Sequence, residues 1–171
     1  MGVYSRAFVS GAGSIWINDG VFAADVSVSA GGTLQTTSFV NGNLKLFGGK
    51  VQVRNYAPDS QDLQGGQLVV SDGGYRYLNT DVPNGAWLTL DKGTLANNLN
   101  RLTVGVNSLQ WRGVVEVASG SQAEWDTINL QRRGELRISG SGSKDHGQRN
   151  SWFIMLIVLK YCPMRGRRGM R

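Results

Sequence analysis

Gly49-Lys-Val-Gln-Val53 is followed, one short interval later, by Gly66-Gln-Leu-Val-Val70. Both segments obey one rule: glycine, any residue, an apolar residue, any residue, then a second apolar residue or threonine. The unit occurs upstream as Gly13-Ser-Ile-Trp-Ile17 and Gly32-Thr-Leu-Gln-Thr36. Downstream it occurs as Gly113-Val-Val-Glu-Val117 and Gly134-Glu-Leu-Arg-Ile138, and with one residue inserted as Gly85-Ala-Trp-Leu-Thr-Leu90. Apart from the longer step between Gly85 and Gly113, the leading glycines recur every roughly 17–21 residues, and so regular a period marks a repeat architecture. Further copies, Gly42-Asn-Leu-Lys-Leu46 and Arg101-Leu-Thr-Val104, fall between them.

Each unit has the chemistry of a strand. Its apolar residues sit two apart and share one face, while the residue between them points the other way. That middle residue is polar or charged in Gln35, Lys45, Gln52, Thr89, Thr103, Glu116 and Arg137, with Trp16 and Val69 as exceptions. One face is wet and one is dry. The leading glycine is expected to take a positive φ at a sharp bend, and Asn41-Gly42, Asp72-Gly73-Gly74 and Asn84-Gly85 read as further corners. Two or three short strands in each glycine interval fit one coil of a parallel β-helix. No coil can bury its own dry face, so the coils must stack.

The predicted fold is therefore all-β, a right-handed parallel β-helix (solenoid) of about seven coils and on the order of 30 Å long at the strand spacing of a sheet. Residues 1–12 are a lead-in, 13–143 the repeats and 144–171 a tail. Ile15, Leu34, Val51, Leu68, Leu88, Val115 and Leu136 are expected to form one interior column. The long interval from Gly85 to Gly113 is expected to hold an excursion at Asn97-Asn98-Leu99-Asn100. The alternative is an antiparallel β-sandwich, which also has short strands and glycine turns but needs no constant glycine period. Helix signals are weak, and Asp91 to Leu102, the closest approach to one, is interrupted by Gly93 and three asparagines.

The net charge of +6 is a property of the tail. Residues 1–143 hold 11 of the 18 basic and 11 of the 12 acidic residues. Lys144, Arg149, Lys160, Arg165, Arg167, Arg168 and Arg171 carry the excess, against Asp145 alone. A nucleic-acid partner, which needs a basic face on a folded module, is not expected. The tail also has the single histidine, His146, the single cysteine, Cys162, and the apolar run Trp152 to Leu159. That run is too short to span a bilayer. Three readings of the tail compete: a final strand at Trp152–Tyr161 covering the open end, a basic tag, or translation out of frame. The abrupt change of composition at Lys144 favours the last, and the tail is expected to be dispensable for the solenoid. Met1 to Asp19 lacks the apolar stretch of a signal peptide.

Chemistry is sparse. Nucleophilic catalysis of the Ser–His–Asp or Cys–His kind needs a histidine base, and none precedes His146, which reads as a polar linker residue. The counts of His and Cys exclude a metal site built from them, and Asp59 and Asp62 lack a calcium-binding repeat around them. No phosphate loop is present. One catalytic possibility remains, sugar cleavage by carboxylates and cations on an outer face, for which Asp72, Arg76, Asp81, Asp91 and Lys92 are the candidates. No catalytic, cofactor-binding or metal-binding residue is assigned, no cofactor is expected, and the chain reads as a non-enzyme.

Ser29-Ala-Gly-Gly-Thr-Leu34, Gly48-Gly-Lys-Val-Gln-Val53, Gly65-Gly-Gln-Leu-Val-Val70 and Ala118-Ser-Gly120 resemble the Gly-Gly-x-Leu passenger repeats of bacterial autotransporter adhesins. The likeness covers about residues 13–143. It implies a right-handed β-helix displayed at the outer membrane, at the cell surface or secreted, with adhesion to host or bacterial glycans and proteins, or self-association, as its function. Similar short motifs occur in phage tail proteins, so a tail structural protein is a further alternative beside a polysaccharide lyase or hydrolase. The resemblance carries no site residues with it, and the sequence reads as a fragment without the export signal and membrane barrel that the family implies.

Overall fold

The computed structural model describes residues 5–105 and 111–149. The chain runs through β1 (Arg6–Ser10), β2 (Ile15–Phe22), β3 (Asp25–Ser29), β4 (Thr33–Val40), β5 (Asn43–Ala57) and β6 (Ser60–Tyr75). It continues through β7 (Asn79–Val82), β8 (Ala86–Asp91), β9 (Leu95–Val104), β10 (Gly113–Ala118), β11 (Gln122–Leu130), β12 (Gly134–Ser139) and β13 (Lys144–Arg149). Every pairing among these strands is parallel. An antiparallel sandwich is thereby excluded, and the fold is a parallel β-solenoid of about seven turns. Among the described residues there is no helix, and so none long and apolar enough to cross a membrane.

Three ladders run along the rod. The first face holds β1, β3 and the starts of β5 and β6, then β7 and the ends of β9 and β11. The second holds the starts of β2 and β4, the middles of β5 and β6, then β8, β10 and β12. The third holds the ends of β2, β4, β5 and β6, then the starts of β9 and β11, and β13. The first-face ladder comes in two pieces, ending at β6 and resuming at β7. At that break the Gln61 backbone N–H donates instead to the Tyr77 hydroxyl at 3.3 Å.

The interior column of the second face is Trp16, Leu34, Val51, Leu68, Leu88, Val115 and Leu136, each the Cα partner of the next. Six of these are the expected residues. The seventh is not: Ile15 pairs with Thr33 and is 63% exposed, and Trp16, itself 43% exposed in this end coil, takes the rung aligned with Leu34. The glycine pattern misleads here because Ser14, not Gly13, stands where Gly32 stands one coil on. Leu34, Val51, Leu68, Leu88 and Val115 are fully buried. Each contributes roughly 1.5–3 kcal/mol of burial before chain entropy is set against it.

The leading glycines fall into two groups. Gly13, Gly66 and Gly85 take the expected positive φ, whereas Gly32, Gly49, Gly113 and Gly134 do not. The second group is glycine because backbone from a neighbouring coil comes too close. A Cβ on Gly32 would sit 2.6 Å from the Val9 carbonyl oxygen, and one on Gly134 would sit 2.1 Å from that of Val104. In Gly31-Gly32 and Gly48-Gly49 the first residue makes the left-handed turn and the second permits the close approach. Asn41-Gly42 and Asp72-Gly73 divide the two tasks the same way, with Asn41 and Asp72 in the left-handed region.

The expected excursion at Asn97–Asn100 is also corrected. Those residues belong to β9, where a single extra residue relative to β11 is absorbed as a bulge and Asn98 takes a positive φ. β9 ends at Val104 and β10 begins at Gly113, and residues 106–110 between them lie outside the described residues. Strands also occur on both sides of the glycine-marked stretch: β1 lies within the lead-in, and β13 runs parallel beside β11 with one register shift between Trp125 and Thr127. His146, read as a linker residue, is the Cα partner of Glu124 in that strand. The tail readings that concern Trp152–Tyr161 and the basic end fall outside the described residues.

The first coil departs from the wet-and-dry rule. Phe8, Ile15, Ile17 and Val21 all point outward and are exposed. Their partners one coil on are Ser27, Thr33, Gln35 and Ser38. Restoring the neighbours' residues with Ile15→Thr and Ile17→Gln should shift stability by no more than about 0.5 kcal/mol, as for other surface positions. Urea unfolding measures this, and a loss beyond about 1–2 kcal/mol would show that these side chains are covered.

The third face carries a feature no glycine announces. Phe22, Phe39, Tyr56 and Tyr75 are successive Cα partners, and their rings stack with centroids 5.6, 5.8 and 5.4 Å apart. Trp16 closes the N-terminal end edge-on, 5.4 Å from Phe22. Beyond Tyr75 the column changes to the small residues Ala96 and Ala123, and Trp125, two residues on from Ala123, is buried.

Candidate functional site

A linked group of outward side chains lies on the second face in the last three coils. Trp87 on β8, Val114 on β10 and Glu135 on β12 form one outward rung. Thr89, Glu116 and Arg137 form the next, because strand alternation returns the outward direction every second residue. Val114 faces outward yet is only 4% exposed. It is roofed from both sides: Arg137 reaches back across the middle coil until its guanidinium carbon is 4.9 Å from the centroid of the Trp87 ring. Such a cation–π contact is worth about 0.5–1 kcal/mol at a surface.

Glu135 locks the roof. It accepts from Arg137 Nε at 2.8 Å and Arg137 Nη2 at 3.1 Å, a two-pronged pair. It also accepts from Arg112 Nη1 at 3.3 Å. The hydrogen bonds from Arg137 hold the Glu135 carboxyl below its usual range, against a smaller opposing effect of burial. The same pair raises Arg137. Three guanidinium N–H groups take most of the carboxylate's acceptor sites, so Glu135 braces the two arginines over Val114.

A depressed carboxyl stabilises the fold at pH values above that of the unfolded group, about 4.3 for Glu. That contribution is lost as pH falls through the lower folded value. Melting of the native chain should therefore decline below about pH 4 more steeply than melting of a Glu135→Gln variant. Parallel curves for the two from pH 6 to pH 2 would remove Glu135 from the account.

The charged residues singled out in the sequence do not all converge: Asp72, Asp91 and Lys92 share a corner, while Asp81 and Arg76 lie elsewhere. Asp72 pairs with Arg54 at 3.0 Å. Asp91 and Lys92 occupy the same corner one coil on, since Ser71 is the partner of Asp91 and both Asp72 and Lys92 take a left-handed φ. Asp81 stands on the first face, paired with Arg101 at 3.4 Å. Arg76 lies at a third place, where the chain leaves β6 and its N–H donates to the Tyr56 carbonyl. Asp62, also on the first face, accepts from Gln64 at 3.1 Å. No group of three or more His, Cys, Asp or Glu side chains gathers among the described residues.

The roof was only half legible in advance. Glu116 and Arg137 stand out as middle residues of the repeat, and hence as outward-facing. Trp87 and Glu135 occupy positions of their units where any residue is allowed, and nothing in the pattern says that an arginine two coils away crosses to one of them. Compared with known protein families, curated proteins and solved structures, the chain finds no match.

Proposed function

We propose that the chain is a non-catalytic stretch of a surface-displayed adhesin passenger, and that its solenoid presents side chains for adhesion to glycans or proteins or for self-association. The observation that carries this reading is the outer second face. Its rungs run Thr33, Lys50, Gln67, Trp87 and, beside them, Gln35, Gln52, Val69, Thr89, Glu116, Arg137. Rows of amide, hydroxyl and charged groups at the strand spacing, with an aromatic among them, suit contact with an extended partner laid along the rod. The resemblance of the Gly-Gly-x-Leu units points the same way.

A competing reading, a polysaccharide lyase or hydrolase, draws on the corner where Arg54, Asp72, Asp91 and Lys92 meet. Incubating the chain with a panel of polysaccharides and measuring new sugar ends decides between the two. Binding to cells or glycans without release of ends is the expected result. Release that disappears in Asp72→Ala or Asp81→Ala would overturn it.

A further inference from the structure

We propose that the corner made by Trp111, Arg112, Arg132 and Arg133 binds an acidic saccharide, a chain whose sugar rings carry carboxylate groups. The inference rests on the reading of the chain as a binding surface and gives that surface a ligand class and a place. Gly113 and Gly134 are Cα partners. Each glycine directly follows an arginine, which sets Arg112 and Arg133 on neighbouring coils at one corner, with Trp111 and Arg132 the residues before them. The backbone agrees: the Gly113 N–H donates to the Arg133 carbonyl at 3.3 Å, and the Gly85 N–H donates to that of Arg112 at 2.9 Å.

All four side chains are exposed, Trp111 at 67%. Three other arginines are ion-paired, Arg54 to Asp72, Arg101 to Asp81 and Arg137 to Glu135, while Arg6 and Arg76 stand singly at separate places on the rod. Arg132 and Arg133 have no acidic partner among the described residues, and Arg112 makes one contact, to the carboxylate that Arg137 already holds. Because residues 1–143 hold basic and acidic side chains in equal number, this corner is a local departure from neutrality. Guanidiniums meet carboxylates through two parallel hydrogen bonds. The negative face of an indole attracts the weakly positive C–H groups of a sugar ring. The excess of cations spans two turns only and is flanked by Glu116 and Glu135, whereas a nucleic acid calls for a longer run of cations matched to its phosphates.

The test is calorimetric titration of the full chain with tetragalacturonate, with neutral cellotetraose and with tetrathymidylate as an anion of another class. The variants are Arg132→Gln/Arg133→Gln and, should that pair disturb the corner's fold, Arg112→Gln/Arg132→Gln, with Trp111→Ala beside them. The basic residues of the tail are common to all variants, so their contribution cancels between them, and the comparison of variants, not of ligands, isolates the corner. Tetragalacturonate is expected to bind at least about tenfold more tightly than cellotetraose, with a loss of about fivefold or more in a folded arginine variant and in Trp111→Ala. A smaller loss in either, no measurable binding, or an equal loss for tetrathymidylate in Trp111→Ala would overturn the proposal. Release of sugar ends would instead overturn the binding-surface reading, and cell binding without affinity for tetragalacturonate would overturn the corner alone.

Discussion

Leu68→Asp should destabilise the solenoid by about 4 kcal/mol or more, because it leaves an ionised carboxylate without a partner inside an apolar column. Leu68 is fully buried between Val51 and Leu88, its partners in the coils on either side. Val69→Asp, at the adjacent position, should cost no more than about 1 kcal/mol, chiefly the poor strand propensity of aspartate. Val69 points outward between Gln52 and Thr89 and is half-buried. A single step along a strand moves a side chain from one face of the sheet to the other, so the pair of variants tests register and not composition. Urea unfolding gives the two free energies. In a solenoid each coil leans only on its neighbours. Amide exchange in Leu68→Asp should therefore speed up first around Val51 and Leu88 and last around Ala7 and Ile128. Equal losses in the two variants would mean that the register is wrong.

The interior of the second face was legible because it depends on local rules alone. Alternation assigns a face to each residue, and a recurring glycine aligns one coil with the next. Those rules recover Leu34, Val51, Leu68, Leu88, Val115 and Leu136. They fail at Ile15, where the glycine sits one position early, and at Asn97–Asn100, where asparagines that look like a loop are absorbed in a bulged strand. The reason for Gly32, Gly49, Gly113 and Gly134 was not legible either. A positive φ is a local property that turn chemistry suggests, whereas the approach of the Val104 carbonyl to Gly134 joins parts of the chain far apart in sequence. The roof over Val114 is long-range in the same sense: Trp87 and Arg137 are brought together only after two coils are stacked. Phe22, Phe39, Tyr56 and Tyr75 are a different case. They recur along the chain at the same period as the glycines, so the signal was in the sequence, carried by residues that the glycine-led unit does not include.

Breaking that aromatic column is expected to have the other large effect. Phe39 is fully buried between Phe22 and Tyr56, nearly parallel to both at 13° and 23°. Phe39→Ala should cost about 3–5 kcal/mol, the transfer of a ring plus the cavity it leaves, including about 0.5–1.5 kcal/mol for each stacking partner lost. Phe39→Leu, which refills most of the volume, should cost less than half as much. The two tyrosines add a pH dependence that phenylalanine does not share. Burial raises the hydroxyls of Tyr56 and Tyr75 well above their usual value, more than the bonds of Tyr75 to Thr80 and Gln61 lower it. In the unfolded chain both ionise near pH 10. Their stabilising contribution is therefore complete below about pH 10 and declines above it, as the unfolded state gives up protons that the folded state keeps. The decline amounts to about 1.4 kcal/mol per pH unit for each ring. A Tyr56→Phe/Tyr75→Phe chain should start less stable at pH 7, since Gln61 loses the hydroxyl it accepts from at 3.0 Å and Thr80 loses its 2.7 Å contact. It should nevertheless hold its stability further into alkali, so that the two curves converge above pH 10. Curves that stay parallel from pH 7 to pH 12 would show that these hydroxyls reach solvent, and that the column is not sealed.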